Sequence, residues 1–199
     1  MSRLTARQMK AKETKRRILE TALHLFGQKG FDHVTVDEIV RTSHTSKGAF
    51  YVHFTSKYHI FLEKFKEIDD FYASFIQTLP VELSSSEKLL RLTLAQMTYL
   101  KDDLGKDLMR VVYKGGLTPN PENYFANTDR TLYKIVHEFV KEGQEAGEFT
   151  TELSSSEITM LITRCMRGTL YDWFLFEENY NLVAESEKIM RAVLSGVRK

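Results

Sequence analysis

Residues 35–54 read Thr35-Val36-Asp37-Glu38-Ile39-Val40-Arg41-Thr42-Ser43-His44-Thr45-Ser46-Lys47-Gly48-Ala49-Phe50-Tyr51-Val52-His53-Phe54. Thr35 is suited to start a helix, because its hydroxyl can accept from a free N–H in the first turn. Glu38 stands where its carboxylate can return to complete a capping box, and Val34 and Ile39 are placed to pack across the start. This helix ends near Arg41 or Thr42, and Thr42 to Thr45 predict a tight turn into a second short helix. Two brief helices separated by about four residues make a helix-turn-helix. On the second, Phe50 and Phe54 stand one turn apart and can seal it from behind, leaving Ser46, Lys47, Ala49 and Tyr51 available to the outside. A face that is small, polar and aromatic can enter a DNA major groove: Lys47 can donate to guanine acceptors, while Tyr51 and His53 can bond phosphate oxygens and fix the register.

Immediately downstream, Ser56 can cap a long helix over 57–79, stopped by Pro80. Lys57 falls in its first turn, where a cation opposes the helix dipole. A bound DNA phosphate would remove that conflict and make an anion site beside the recognition helix. Upstream, Ile18, Leu19, Ala22, Leu25 and Phe26 form one stripe on a helix over 11–28, which Gly27 and Gly30 can end.

The same spacing of apolar residues at threes and fours continues almost throughout, without sustained alternation, so the fold class is all-α with about nine helices. Further helices are expected over 86–103, 105–114, 127–146, 156–177 and 184–196, with Gly105, Gly115-Gly116 and Gly147 as breaks. Two starts are written alike, Ser84-Ser85-Ser86-Glu87 and Ser154-Ser155-Ser156-Glu157, and read as caps. The domains divide as 1–56, an N-terminal three-helix DNA-binding domain, and 57–199, a helical effector-binding and dimerisation domain.

Charge is distributed unevenly within a total of only +1: residues 1–53 hold ten Lys/Arg against five Asp/Glu, leaving 18 against 22 of the chain's 28 basic and 27 acidic residues for the remainder. A basic end on a neutral body fits a module that neutralises phosphates. The 199 residues, 42% of them hydrophobic, support a sizeable core. They include no run of eighteen apolar residues and no secretory leader pattern, so a soluble, cytoplasmic protein with no membrane contact is expected. Cys165 is the only cysteine, no Cys/His set has metal-ligand spacing, and no oriented nucleophile, base and acid can be assembled around His137 and Cys165. Neither metal, cofactor nor enzymatic activity is expected.

From Thr14-Lys15-Arg16-Arg17-Ile18-Leu19 through Leu25-Phe26, Gly30-Phe31, Thr35, Ile39, Ser46-Lys47-Gly48, Phe50-Tyr51 and His53-Phe54 to Ser56-Lys57, residues 14–62 resemble the DNA-binding domain of the tetracycline-repressor (TetR) family. The resemblance implies that Lys47 and Gly48 face bases, that Tyr51 touches base or phosphate, and that Thr35, His53 and Lys57 bind phosphate, with Phe50 in the core. Thr45, Ser46 and Ala49 complete the expected DNA-binding set. Two departures stand out. Ser43-His44-Thr45 replaces the usual Ala-Gly-Val, which puts a non-glycine residue at a left-handed position, and Ala49 replaces a frequent threonine and so cannot bond phosphate.

In the C-terminal body Phe71, Phe75, Met97, Met109, Tyr113, Tyr133, His137, Met166 and Trp173 are candidate pocket residues for a small apolar or aromatic effector. The last two helices carry Met160, Leu161, Cys165, Leu170, Trp173 and Phe174, then Ile189, Met190, Val193 and Leu194, as a candidate homodimer surface. One short helix covers few base pairs, so a two-fold pair of reading heads on a palindromic operator is expected. The function expected is a repressor released from operator DNA by its effector. The alternative is a DNA-binding regulator whose C-terminal domain takes a protein partner instead.

Overall fold

Sequence-coded caps fix most helix starts. A computed structural model describes residues 5–117, 125–176 and 180–199, and among these the regular elements are nine α-helices and one π-turn. In chain order they are α1 (Ala6–Lys29), α2 (Val36–Thr42), α3 (Lys47–His53), α4 (Lys57–Ile76), α5 (Ser85–Tyr99), α6 (Lys106–Gly116), α7 (Thr131–Glu145), α8 (Ser155–Leu175) and α9 (Leu182–Gly196). The all-α expectation holds. Ser84 and Ser154 each form a reciprocal box with the glutamate three residues on, Glu87 and Glu157, as their spelling implies.

The boundaries differ where local signals were weaker. α1 starts five residues earlier than expected, because Thr5 and Gln8 cap each other's backbone N–H. α4 stops at Ile76 instead of reaching Pro80: Gln77, Thr78 and Leu79 donate to carbonyls three residues back, a tightening into a turn. α5 ends at Tyr99, and residues Leu100–Leu104 form the π-turn, closed by Gly105 at φ 80°. α7 begins at Thr131, not 127. The expected end of α8 at 177 lies outside the described residues.

Two compact units result, one of Met1–Lys66 with Asp107–Thr118 and one of Glu67–Lys106 with Pro119–Lys199. In the first, α1, α2 and α3 pack on one another around buried Ile18, Ala22, Phe26, Val34, Ile39, Phe50 and Phe54. The rings of Phe26 and Phe61 stack at 4.7 Å, and Phe31 lies tilted against both, at 5.2 and 5.0 Å. Gly115 belongs to this unit too. α6 ends at the Gly115-Gly116 pair, as expected from the sequence, but Gly115 also serves close packing, since a Cβ there would stand 2.2 Å from the ring of Tyr58.

In the second unit α5 packs against α7 and α9, and α8 packs against the same two helices. Leu89, Leu92, Val136, Ile162, Met166 and Met190 fill the space between them. Buried Thr93, Thr163 and Thr169 return their hydroxyls to carbonyls four residues back, so they need no other partner. The α7–α8 connection turns at Gly147, φ 72°, and its Glu148 carboxylate accepts from the Ser85 and Ser86 N–H groups at 2.9 and 3.0 Å. That carboxylate is a second cap for α5, supplied from 62 residues away.

Candidate nucleic-acid interface

Thr35 caps α2 as expected, its Oγ1 accepting from the Glu38 N–H at 3.2 Å. The second half of the expected box does not form: the Glu38 carboxylate pairs instead with Lys29 at 2.5 Å, tying the start of α2 to the end of α1. In the turn, His44 takes φ 51°, the left-handed conformation that the sequence requires of it. Ser43 is buried, and its hydroxyl lies 2.8 Å from that of Thr45, which fixes the turn from within. Thr45 therefore faces partly inward. Ser46 caps α3, its Oγ accepting from the Ala49 N–H at 3.0 Å.

Phe50 and Phe54 are fully buried, and Lys47, Gly48, Tyr51 and Val52 face outward. Ala49 and His53 are half-buried. Tyr51 is 56% exposed and leans edge-on against Phe50 at 5.3 Å, so a core ring orients an exposed one. Nothing but the Ser46 hydroxyl lies near Gly48 on its open side, so a ligand backbone could approach closely there. Val52 was not expected on this face. At 79% exposure it offers an apolar contact of the kind that fits a thymine methyl.

Two cations are already engaged. The Lys47 ammonium lies 2.6 Å from the Asp37 carboxylate, and that hydrogen bond holds its pKa above the ordinary lysine value. Lys57 donates to the carbonyls of Phe31 at 2.6 Å, Val34 at 2.9 Å and Asp32 at 3.4 Å, and sits 4.2 Å from the Phe31 ring centroid. The dipole conflict that suggested a phosphate at Lys57 is thus met by the protein's own carbonyls. These long-range bonds to the loop before α2 are invisible to a local reading.

In the second unit the expected effector residues fall into groups. Phe71 stacks on Tyr99 at 4.4 Å and on Phe75 at 5.9 Å. Met97, Met166 and Trp173 are buried. Tyr133 donates to the Phe125 carbonyl at 2.9 Å and meets the Arg167 guanidinium. Tyr133 and His137 line a cleft between α7 and α8 with Thr159, Met160 and Lys134. Met109, buried, and Tyr113, half-buried, lie on α6 in the first unit.

Of the residues expected at a partner surface, Leu170, Trp173, Met190 and Leu194 are buried within their own chain and cannot serve. The outward face of α8 instead carries Leu161, half-buried Cys165, Gly168, Tyr171 and Leu175, recurring at threes and fours along one stripe. Burial pushes the Cys165 thiol above its ordinary pKa. No described helix is long and apolar enough to cross a membrane.

Comparison with known proteins matches the same segments. The family model described as bacterial regulatory proteins, tetR family, covers residues 18–63, and that of the C-terminal region of YsiA-like proteins covers 125–196. The HTH-type transcriptional regulator YuxN of Bacillus subtilis is 34% identical over 113 residues, 56% of this chain and 38% of YuxN. YerO of the same organism is 26% identical over 137 residues, 69% of this chain and 40% of YerO. The chain thus spans about two fifths of the length of these two relatives. The structure of Thermus thermophilus FadR, a TetR-family transcriptional repressor in complex with lauroyl-CoA, superposes with a TM-score of 0.73 at 22% identity, covering 93% of this chain and 96% of that one. With both of its segments matched and its helices in the same order, the chain belongs to the TetR family.

Proposed function

We propose that the protein is a ligand-responsive transcriptional repressor of the cytoplasm, binding palindromic operator DNA as a homodimer and leaving it when a small apolar effector binds the C-terminal body. The observation that carries this reading is α3: buried Phe50 and Phe54 hold Lys47, Gly48, Tyr51 and Val52 outward on a short helix with both ends capped. In this reading Lys47 turns from Asp37 to a base acceptor, Tyr51 and Val52 complete the base-facing set, and Thr35, Ser46 and His53 meet phosphates. Lys57 acts as a brace that holds the Thr35 loop in place. Residues 1–56 read DNA, 57–199 carry effector and partner, and α4 runs from one function to the other.

The outward stripe of α8 fits a two-fold partner, with α9 beside it. Thermus FadR was solved with lauroyl-CoA, which makes a fatty acyl-CoA the first effector to try. Footprinting on DNA upstream of the protein's own coding region tests the whole reading. A symmetric protected site that opens on adding effector is the expected outcome. Protection that strengthens with every effector tried, or no protected site, overturns it. Linkage supplies a second check, since operator DNA must weaken effector affinity by the same factor.

A further inference from the structure

Among the described residues, the helix starts at Thr5, Ser84 and Ser154 are closed by reciprocal boxes in which Gln8, Glu87 and Glu157 reach back to the backbone. At α4 a histidine takes that role. Ser56 Oγ accepts from the His59 N–H at 3.2 Å, and His59 Nδ1 accepts from the Thr55 N–H at 3.3 Å, one residue further back than in those boxes. The Thr55 hydroxyl lies 3.4 Å from the same ring nitrogen. The Thr55 N–H belongs to the peptide that leaves Phe54, the buried residue at which α3 ends, and the His59 ring stands edge-on to the Phe54 ring at 6.0 Å. His59 thus ties the end of the outward-facing helix to the start of α4.

An imidazole nitrogen accepts only when it carries no proton, so the bond from Thr55 requires a neutral ring with its proton on Nε2. Nε2 faces the Glu63 carboxylate at 3.6 Å, too far for a hydrogen bond but the right direction for an N–H beside an anion. That carboxylate is already held by Lys15 of α1 at 2.5 Å and by Lys66 at 3.1 Å. Lys57 stands in the same first turn as His59, and the His53 ring of α3 lies 6.5 Å from that of Phe54. A proton added at Nδ1 removes the acceptor, sets one N–H against another, and gives the first turn of α4 a second cation opposed to the helix dipole. Attraction to Glu63 offsets part of this, and it draws the ring away from Thr55. Both effects loosen the joint between α3 and α4.

We propose that His59 is a positioning residue for the reading head: neutral, it fastens the α3–α4 joint, and protonated, it releases α3, so that operator recognition weakens in acid. The inference rests on α3 being the reading head. Histidine ordinarily changes charge between about pH 5 and 8, where the side chains of the other boxes keep theirs. The expected sign is opposite to the general one. Protonating an exposed histidine such as His44 adds charge for phosphates and strengthens binding on any sequence. Release of α3 instead costs preference for the operator over other DNA.

The test compares the full native chain with His59→Gln, whose amide oxygen accepts from an N–H at any pH. Each is titrated with the duplex protected in footprinting and with a random-sequence duplex of equal length. From about pH 8 to about pH 5.5, the ratio of the two affinities is expected to fall about three- to tenfold in the native chain, the equivalent of one lost cap, and to stay level in His59→Gln. Taking the ratio cancels charge gained elsewhere on the protein. In the free native chain, NMR should show the Thr55 amide proton losing its hydrogen-bonded shift as the His59 ring titrates. A ratio that stays level in the native chain, or falls equally in both chains, overturns the proposal while leaving α3 as the reading head. So does a Thr55 amide that stays put while the ring titrates, a measurement that holds even where His59→Gln fails to fold. If the native chain protects no duplex at any pH, the reading of α3 falls first and this inference with it.

Discussion

The Lys47–Asp37 pair costs little to break, because both side chains are more than half exposed, at 63% and 68%, and water screens their attraction. Under the proposed function, their pairing in the free protein keeps the ammonium over the base-facing side of α3. Lys47→Ala is therefore expected to relax base preference at one operator position by about tenfold while weakening binding to random DNA only slightly, as a site-selection experiment would read. Selection unchanged at every position would show that Lys47 reads no base. Gly115 makes a different demand. Gly115→Ala would drive a methyl into the Tyr58 ring, and a loss of about 1–3 kcal/mol is expected in denaturant unfolding. The sequence displayed Gly115 and Lys47 equally plainly, but only Lys47 could be interpreted locally. That a glycine at a helix end must also leave room for a ring is legible only once the ring that fills its space is known.

Among elements, α2 and α3 were the most legible, since caps at Thr35 and Ser46 and the Phe50–Phe54 pair all lie within twenty residues of one another. Less legible were the ties that cross from one helix to another: Glu38 to Lys29, Lys57 to the Phe31–Val34 loop, and Lys15 to Glu63. Each depends on a partner that only the folded chain brings near. The Lys15–Glu63 tie also fixes a dependence on pH. Burial pushes the Glu63 carboxyl up, but hydrogen bonds from Lys15 and Lys66 outweigh it and leave the pKa below the ordinary glutamate value. A carboxyl depressed on folding stabilises the protein above its unfolded pKa, and that stability is lost as pH falls through the folded value. Glu63→Gln is expected to lower Tm at neutral pH, with the gap to the native chain closing in acid. A gap that persists or widens on acidification would show that the charge contributes nothing.

For the molecule as a whole, helical period identified α8 and α9 as apolar but could not tell which side each turns to its own core. Leu170 and Trp173 went inward, and Leu161, Tyr171 and Leu175 remained outside. Both sets recur at threes and fours, and only packing against α7 and α9 separates them. If the outer set joins two copies, Leu161→Glu with Tyr171→Glu should weaken association by about 2 kcal/mol or more. Sedimentation would then show monomers that keep native helix content and lose tight operator binding. Dimers of native strength would place the partner surface elsewhere.

Cys165 sits on that outer stripe of α8, and it is the chain's sole thiol. Its raised pKa makes alkylation slow near neutrality and faster in alkali. A nitroxide attached there would need no engineered cysteine. If that stripe joins two copies, association should shield the thiol further and a bulky nitroxide there should hinder pairing, so the rate of labelling against protein concentration would report the contact directly.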